Sequence, residues 1–284
     1  MTSIKIENTP IKRGGNNTVL CAIQFTNLEP WRTIQRLGQF NTFLSEPVPD
    51  GFSYLIFKGR DVSSLARSIE KAHESFRYKK NGRFLIPIDR IATYPLRSFR
   101  PKSTLSYQHK RVDVLEIKIP DLFPLLLWKY LGLYRHFIEN TGFDFLYTTN
   151  SNCYIQPTKL LELVQRTSRL KTFAGTPLRA GRRNFVSGAN RLMSRDVVKL
   201  ILDHFTEIDR GFIEDVSLGD FLVKRHLKIT SLPTKDIHSM EEAIATNDSR
   251  LRELHQVRIK TKHSREIEDV KIMEYLHSRV KYGK

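Results

Sequence analysis

The stretch Phe143 to Val164, FDFLYTTNSNCYIQPTKLLELV, decides how the chain is to be read. Phe143 to Thr148 is a short run of aromatic, apolar and β-branched residues, the composition of a buried strand. The polar cluster Thr149-Asn150-Ser151-Asn152 ends it, and Pro157 opens a helix carrying Leu160, Leu161 and Val164. Strand, polar turn and helix in that order make one unit of an α/β sheet. In such sheets ligands bind beyond the carboxyl ends of the strands, which makes the turn a candidate site.

Working outward, the same alternation recurs. Thr18 to Phe25 and Phe52 to Phe57 read as strands, with Trp31, Ile34, Leu37 and Phe40 at helical spacing between them. Asp61 or Ser63 can cap a helix with the stripe Leu65, Ile69, Ala72 and Phe76. Residues 77–111 hold three prolines among basic and aromatic residues and predict a long irregular insertion. Val112 to Ile119 alternates as a strand, and Asp121 is expected to cap a helix running to about Asn140. Downstream, Phe185 to Met193 is a mixed segment. Ser194 is placed to cap a helix with Val197, Ile201, Phe205 and Ile208 on one face. Another helix follows Glu214-Asp215, and the chain ends in a short alternating stretch from about Arg252 and a final helix through Ile272 and Leu276. The expectation is one α/β domain over residues 1–284, with a mostly parallel sheet flanked by helices and a frayed polar leader over 1–16.

Composition narrows the setting. Only Cys21 and Cys153 occur, both in apolar contexts, which predicts two buried thiols in a reducing compartment. The longest uncharged apolar run, Leu122 to Trp128, is far short of the roughly 20 residues that span a bilayer, and no secretory signal is visible, so a cytoplasmic location is expected. The net charge of +17 is concentrated. Arg77 to Arg111 holds ten Lys/Arg against one acid, and Gln165 to Arg195 eight against none, which together account for the whole excess. Two basic segments suggest an anionic partner such as a phosphate-bearing ligand, an acidic membrane surface or nucleic acid. The bland reading of either segment is a solvated basic loop, and that of Glu214-Asp215 is a helix N-terminus favouring carboxylates.

Four pieces in order carry a family resemblance: the strand-turn-helix above, FAG at 173–175, FVSGANRLMSRDVV at 185–198 and IEDVSLGDFL at 213–222. With LLLWKYLGL at Leu125 to Leu133 ahead of them, they resemble the Fringe and beta-1,3-galactosyltransferase-like group of GT-A glycosyltransferases. The resemblance covers residues 143–224 well and the rest loosely. It implies a Rossmann-like GT-A fold and inverting transfer from a nucleotide-diphosphate sugar, by analogy a UDP-sugar, to a saccharide or lipid-linked acceptor. Asp215 then matches the carboxylate that acts as base on the acceptor hydroxyl, and Glu214 would orient acceptor or donor sugar. Ser187, Gly188 and Ala189 would line the sugar pocket.

The sequence departs from the family at one place. Asn150, Ser151 and Asn152 fall on the three acidic positions where carboxylates ordinarily hold a manganese or magnesium ion against the diphosphate. Amide oxygens are weaker ligands for such cations. Either the ion is bound weakly, with the diphosphate itself as main ligand and Asn150, Asn152 and His255 as candidate side-chain ligands, or it is dispensable and other cations neutralise the leaving group. Arg179, Arg182 and Arg183 are candidates, as are Arg258 and Lys260, which with His255 lie where GT-A enzymes often place a metal-binding His and a diphosphate-binding cation. His238 is a second candidate histidine. Three functions therefore stand: a glycosyltransferase acting at the cytosolic face of a membrane, with the first basic segment on an acidic bilayer or anionic acceptor; a degenerate relative that binds without turnover; and, disfavoured by the absence of any RNA-binding signature, a nucleic-acid-binding protein.

Overall fold

The computed structural model describes residues 16–62, 103–109 and 112–282. The expected frayed leader, apart from Asn16, lies outside these residues, as do the helix expected over Leu65 to Phe76 and most of the basic insertion.

Eight strands form the central sheet. They are β1 (Val19–Gln24), β2 (Phe52–Arg60), β3 (Ser103–His109), β4 (Val112–Pro120), β5 (Phe145–Asn150), β7 (Phe173–Ala180), β8 (Arg183–Ser194) and β9 (Ile229–Ser231), in the order β3-β4-β2-β1-β5-β8-β7-β9. Its heart is parallel: β4, β2, β1 and β5 run together, and β7 pairs with β9 in parallel, while β3 and β8 run against their neighbours. The central strands are apolar nearly throughout because both faces are covered; every residue of β1 but Gln24 is buried. A smaller sheet, β10-β11-β6, is made of β6 (Cys153–Ile155), β10 (Lys235–Ile237) and β11 (Gln256–Ile259).

Helices cover both faces. On one side α1 (Leu126–Asn140), α3 (Arg195–Asp203) and α4 (Glu214–Lys224) enclose a core with Leu20, Phe57, Leu146, Trp128, Val198 and Leu222. On the other, α2 (Pro157–Gln165), α5 (Met240–Ala245), α6 (Asp248–Glu253) and α7 (Arg265–Tyr282) join the small sheet over Cys21, Tyr54, Tyr147, Val257 and Met273. The chain is thus α/β with a mostly parallel sheet between helical layers, as the alternation predicts.

Several expectations change in detail. Ser103–His109, within the expected irregular insertion, is an edge strand antiparallel to β4. Asp121 does not cap α1, which begins through a short 3-10 turn at Phe123–Leu125. Its carboxylate instead meets the buried Lys129 ammonium at 2.6 Å. Ser194 occupies the N-cap of α3 without a side-chain capping bond; its hydroxyl accepts from Thr172 N–H and bonds the Asp196 carboxylate. That helix stops at Asp203, so Phe205 lies in a separate turn. Trp31–Thr33 and a π-helical segment, Ile34–Gln39, replace a regular helix, and Leu37 is 49% exposed.

The contact that positions the site is between α4 and β8. A Cβ on Gly219 would come within 2.2 Å of Phe185 Cβ, so only glycine lets the helix lie this close to the strand. The β7–β8 ribbon turns at Gly181, whose φ of +60° suits glycine.

Candidate functional site

Parallel strands β1 and β5 end side by side, with Gln24 opposite Asn150 in the register. Side chains alternate along β5. Tyr147 and Thr149 turn toward β11, so Asn150 turns to the opposite face, where α1 packs. From that helix Tyr130 donates its hydroxyl to Gln24 Oε1 at 3.1 Å. The same hydroxyl lies 3.8 Å from the point where a Cβ on Gly188 would sit, and Glu214 Oε2 and Asp215 Cβ are 3.5 and 3.9 Å from that point. Thr149 in turn donates to the Ala189 carbonyl at 3.1 Å. The structure therefore brings Asn150, Ser187-Gly188-Ala189 and Glu214-Asp215 to one end of the sheet, the carboxyl end of its parallel strands, where α/β folds bind ligands.

The two carboxylates differ sharply. Glu214 is buried, with Oε1 held by Arg191 Nη2 at 2.6 Å. Burial raises its carboxyl to about 7, against the pull of Arg191 and of the Tyr134 hydroxyl. Burial works against the Arg191 charge too, but Glu214 and the two tyrosines outweigh it and hold that guanidinium firmly protonated. Asp215 is half-buried beside Gly188. Burial raises its carboxyl as well, while Arg191 and backbone N–H groups of Val216 and Gly188 draw it down. A carboxylate lifted by burial yet reachable from solvent has the character of a general base. Glu214 is more deeply buried, with Oε1 on Arg191 and Oε2 toward the same Gly188 position.

The polar turn after β5 is built into the fold. Asn152 Nδ2 donates to the Ile259 carbonyl at 2.7 Å. Ser151 and Asn152 are both buried, and Gln39 reaches the carbonyls of Asn150 and Cys153 at 3.3 and 3.2 Å. Asn150 Oδ1 is buried without a hydrogen-bond partner among the described residues. As a metal site this set is poor: one free amide oxygen and no carboxylate. Among the described residues no group of three or more His, Cys, Asp or Glu side chains could hold an ion. His255 does not join it. Its ring packs edge-on against Tyr147, its Nε2 meets Asn190 Oδ1 at 3.1 Å, and burial lowers its pKa to about 4. His238 is exposed, its backbone N–H held by Glu242.

The cations separate into two groups. Arg258 pairs with Cys153 in the β11–β6 register and shares the strand face of Gln256, which bonds Thr149, so it lies beneath the end of β5. Its Nε is buried without a hydrogen-bond partner among the described residues. Lys260 follows just beyond the Ile259–Asn152 contact, with its ammonium on Asp236 at 2.5 Å. Arg179, Arg182 and Arg183 are instead at the β7–β8 ribbon tip, and Gly188 lies in the irregularity between the Pro177–Val186 and Gly175–Arg191 pairs. At the tip Arg183 stacks over Phe212 at 3.9 Å and faces Asp220. The basic run 165–195 is thus no single patch: Lys171 precedes β7 and Arg179 lies near its far end, Arg191 is buried, and Arg195 bonds the carbonyls of Ile138 and Phe143. Among the described residues no helix is long and apolar enough to cross a membrane. Both cysteines are buried and free, as expected.

Gln24, Tyr130, Tyr134 and Arg191 were not singled out by sequence reasoning. Tyr130 and Arg191 stand inside the very segments quoted for the resemblance, but nothing in their spacing separates a buried arginine from a solvated one.

Fold and site define a Rossmann-like α/β protein with a half-buried carboxylate at the carboxyl edge of its sheet. No protein-family model matches the sequence, and no curated protein matches it. Among solved structures the chain is similar to the mannosyltransferase PcManGT from Pyrobaculum calidifontis in complex with GDP-Man and Mn2+, at 9% identity and a TM-score of 0.42, covering 77% of this chain and 55% of that one. It is similar also to the apo-form glycosyltransferase GlyE of Streptococcus pneumoniae TIGR4, at 9% identity and a TM-score of 0.35, covering 77% and 45%. The chain spans about half the length of the structures it matches.

Proposed function

We propose that the protein is an inverting GT-A-type glycosyltransferase that uses a nucleotide-diphosphate sugar, with Asp215 as general base. The observation that carries this reading is the asymmetry of the carboxylate pair: both stand beside Gly188, but Glu214 is buried with Oε1 on Arg191, whereas Asp215 is half-buried. In the reaction Asp215 takes the proton of the acceptor hydroxyl as its oxygen bonds to the sugar's anomeric carbon. The bond from that carbon to the diphosphate breaks on the opposite side, and the nucleoside diphosphate leaves. Arg258, with its unspent Nε under the end of β5, and Lys260 stabilise the departing charge. Asn150 lies between, and Ser187, Gly188 and Ala189 line the sugar pocket.

A divalent cation held by this chain's own residues does not suit the amide-rich turn, so no step is assigned to one. The donor is a UDP-sugar by resemblance and the acceptor a saccharide or lipid-linked saccharide. The setting is cytoplasmic, at the inner face of an acidic membrane, with the 77–111 segment as the contacting element. The amide turn also favours a second reading, a relative that binds donor without turnover.

Thermal stabilisation by a panel of nucleotide sugars, with and without manganese, identifies the donor. Transfer and donor hydrolysis are then compared between wild type and Asp215→Asn. Turnover lost by about a hundredfold or more with binding kept supports the base. Binding without turnover in the wild type selects the second reading, and binding of no nucleotide sugar rejects both.

A further inference from the structure

Arg191 sits in the C-terminal half of β8 with its side chain wholly buried. That is a rare place for a guanidinium, whose five N–H donors all require partners. Nη2 donates to Glu214 Oε1 and, at 2.9 Å, to the Tyr134 hydroxyl. Nε and Nη1 have no hydrogen-bond partner among the described residues, and the guanidinium lies over the Tyr130 ring, 4.9 Å from its centroid. A buried ion pair gives little stability relative to an apolar replacement, because desolvating both charges offsets their attraction. Unspent donors worsen that balance. The charge therefore calls for a use other than holding the fold together, and one lies next to it. Glu214 and Asp215 are the first two residues of α4, so whatever pins the Glu214 carboxylate also fixes the turn that carries Asp215.

We infer that Arg191 is the positioning residue for Asp215: clamped on Glu214, it sets the first turn of α4 so that Asp215 faces Gly188, and its positive charge keeps the Asp215 carboxylate ionised. Burial pushes that carboxyl upward, and Arg191 is the strongest influence in the other direction. Among the described residues the other titratable groups facing the pair are Tyr130 and Tyr134 from α1, both held protonated by burial. Asp220, farther along α4, is engaged by Arg183 and Lys224. The role of Asp215 as base rests on the transfer reading above; the control of its charge does not.

Two variants of the full chain test this. Arg191→Gln removes the charge, and Arg191→Met combined with Glu214→Leu removes the pair. The carboxyl carbon of Asp215, assigned by its disappearance in Asp215→Asn, is followed by carbon-13 NMR through a pH titration. Its midpoint is expected to move upward in whichever variant folds and to stay near the wild-type value in Arg191→Lys. With a nucleotide sugar that the wild type turns over, the charge-removing variants lose about tenfold or more at pH 6 and recover most of it at pH 8. A purely structural role would not give that recovery. An unmoved Asp215 midpoint in a folded variant overturns the inference. Failure of both variants to fold also overturns it, because the pair is then a determinant of folding alone. A shifted midpoint with no donor turned over leaves the charge control standing and rejects the transfer reading.

Discussion

Asn152 and Ile259 exchange hydrogen bonds in both directions: Asn152 Nδ2 donates to the Ile259 carbonyl at 2.7 Å, and the Ile259 N–H to the Asn152 carbonyl at 2.9 Å. The turn after β5 is thereby stitched to β11, and through it to Arg258 and Lys260 on either side of Ile259. Position 152 thus has a structural task that a carboxylate cannot perform. Asn152→Asp, which restores an acid where the family resemblance expects one, replaces the donor with an acceptor facing a buried carbonyl. It should destabilise the protein by about 1–3 kcal/mol. Urea denaturation with and without manganese checks this; an unchanged midpoint in metal-free buffer would contradict it.

Gly219 gives a test of the α4–β8 contact. Alanine is the better helix former by about 1 kcal/mol, so on propensity alone Gly219→Ala should stabilise. The added methyl would overlap Phe185. The expected result is a net loss of about 1–3 kcal/mol, read as a lower thermal midpoint. A rise in that midpoint would show that α4 has room to retreat from β8.

His255 sets a pH dependence of known sign. Its pKa falls from 6.5 in the unfolded chain to about 4 when buried, so the native state excludes a proton that the unfolded chain binds. The stability this group contributes is complete above about 6.5 and is lost as pH falls toward 4. The full term is on the order of 3 kcal/mol. Glu214 acts oppositely: its carboxyl is raised to about 7, so its contribution is complete below its unfolded value and is lost as pH rises through 7. Denaturation of His255→Phe at pH 4.5 and 7 isolates the histidine. The variant should lose less stability on acidification than the wild type does, and an identical loss in both proteins would rule the histidine out as its source.

Asp121 and Lys129 form a pair in which both side chains are almost fully buried. Removing one partner leaves the other charge uncompensated, so Asp121→Ala should cost about 3–5 kcal/mol. The double change Asp121→Leu with Lys129→Met should recover most of that, as measured by equilibrium unfolding. A single variant as stable as wild type would mean that water or a rearranged neighbour replaces the carboxylate.

Much of the fold was legible along the chain. Buried parallel strands such as β1 and β5 announce themselves as apolar runs, and α2 as a proline followed by a leucine stripe, because these signals are local and repeat with the backbone's own period. Elements whose character depends on a partner were missed or blurred. Ser103–His109 lies in a basic, proline-rich context and becomes a strand only by pairing with β4. Asp121 stands where a helix cap belongs, yet pairs with a lysine two turns along.

Sequence order and residue type determined the α/β class, the strand-end turn at Asn150 and the candidate carboxylates Glu214 and Asp215. Only the tertiary structure decided that Glu214 is buried on Arg191 while Asp215 is half-buried, that Arg191 lies buried against Glu214 and the tyrosines, and that the cations of one basic run are spread along β7 and β8. The physical reason is range. Periodicity reports which face of an element is buried, whereas the charge state and reach of a side chain depend on groups tens to more than a hundred residues away that folding brings within hydrogen-bond distance, as Gln24 and Tyr130 are brought together.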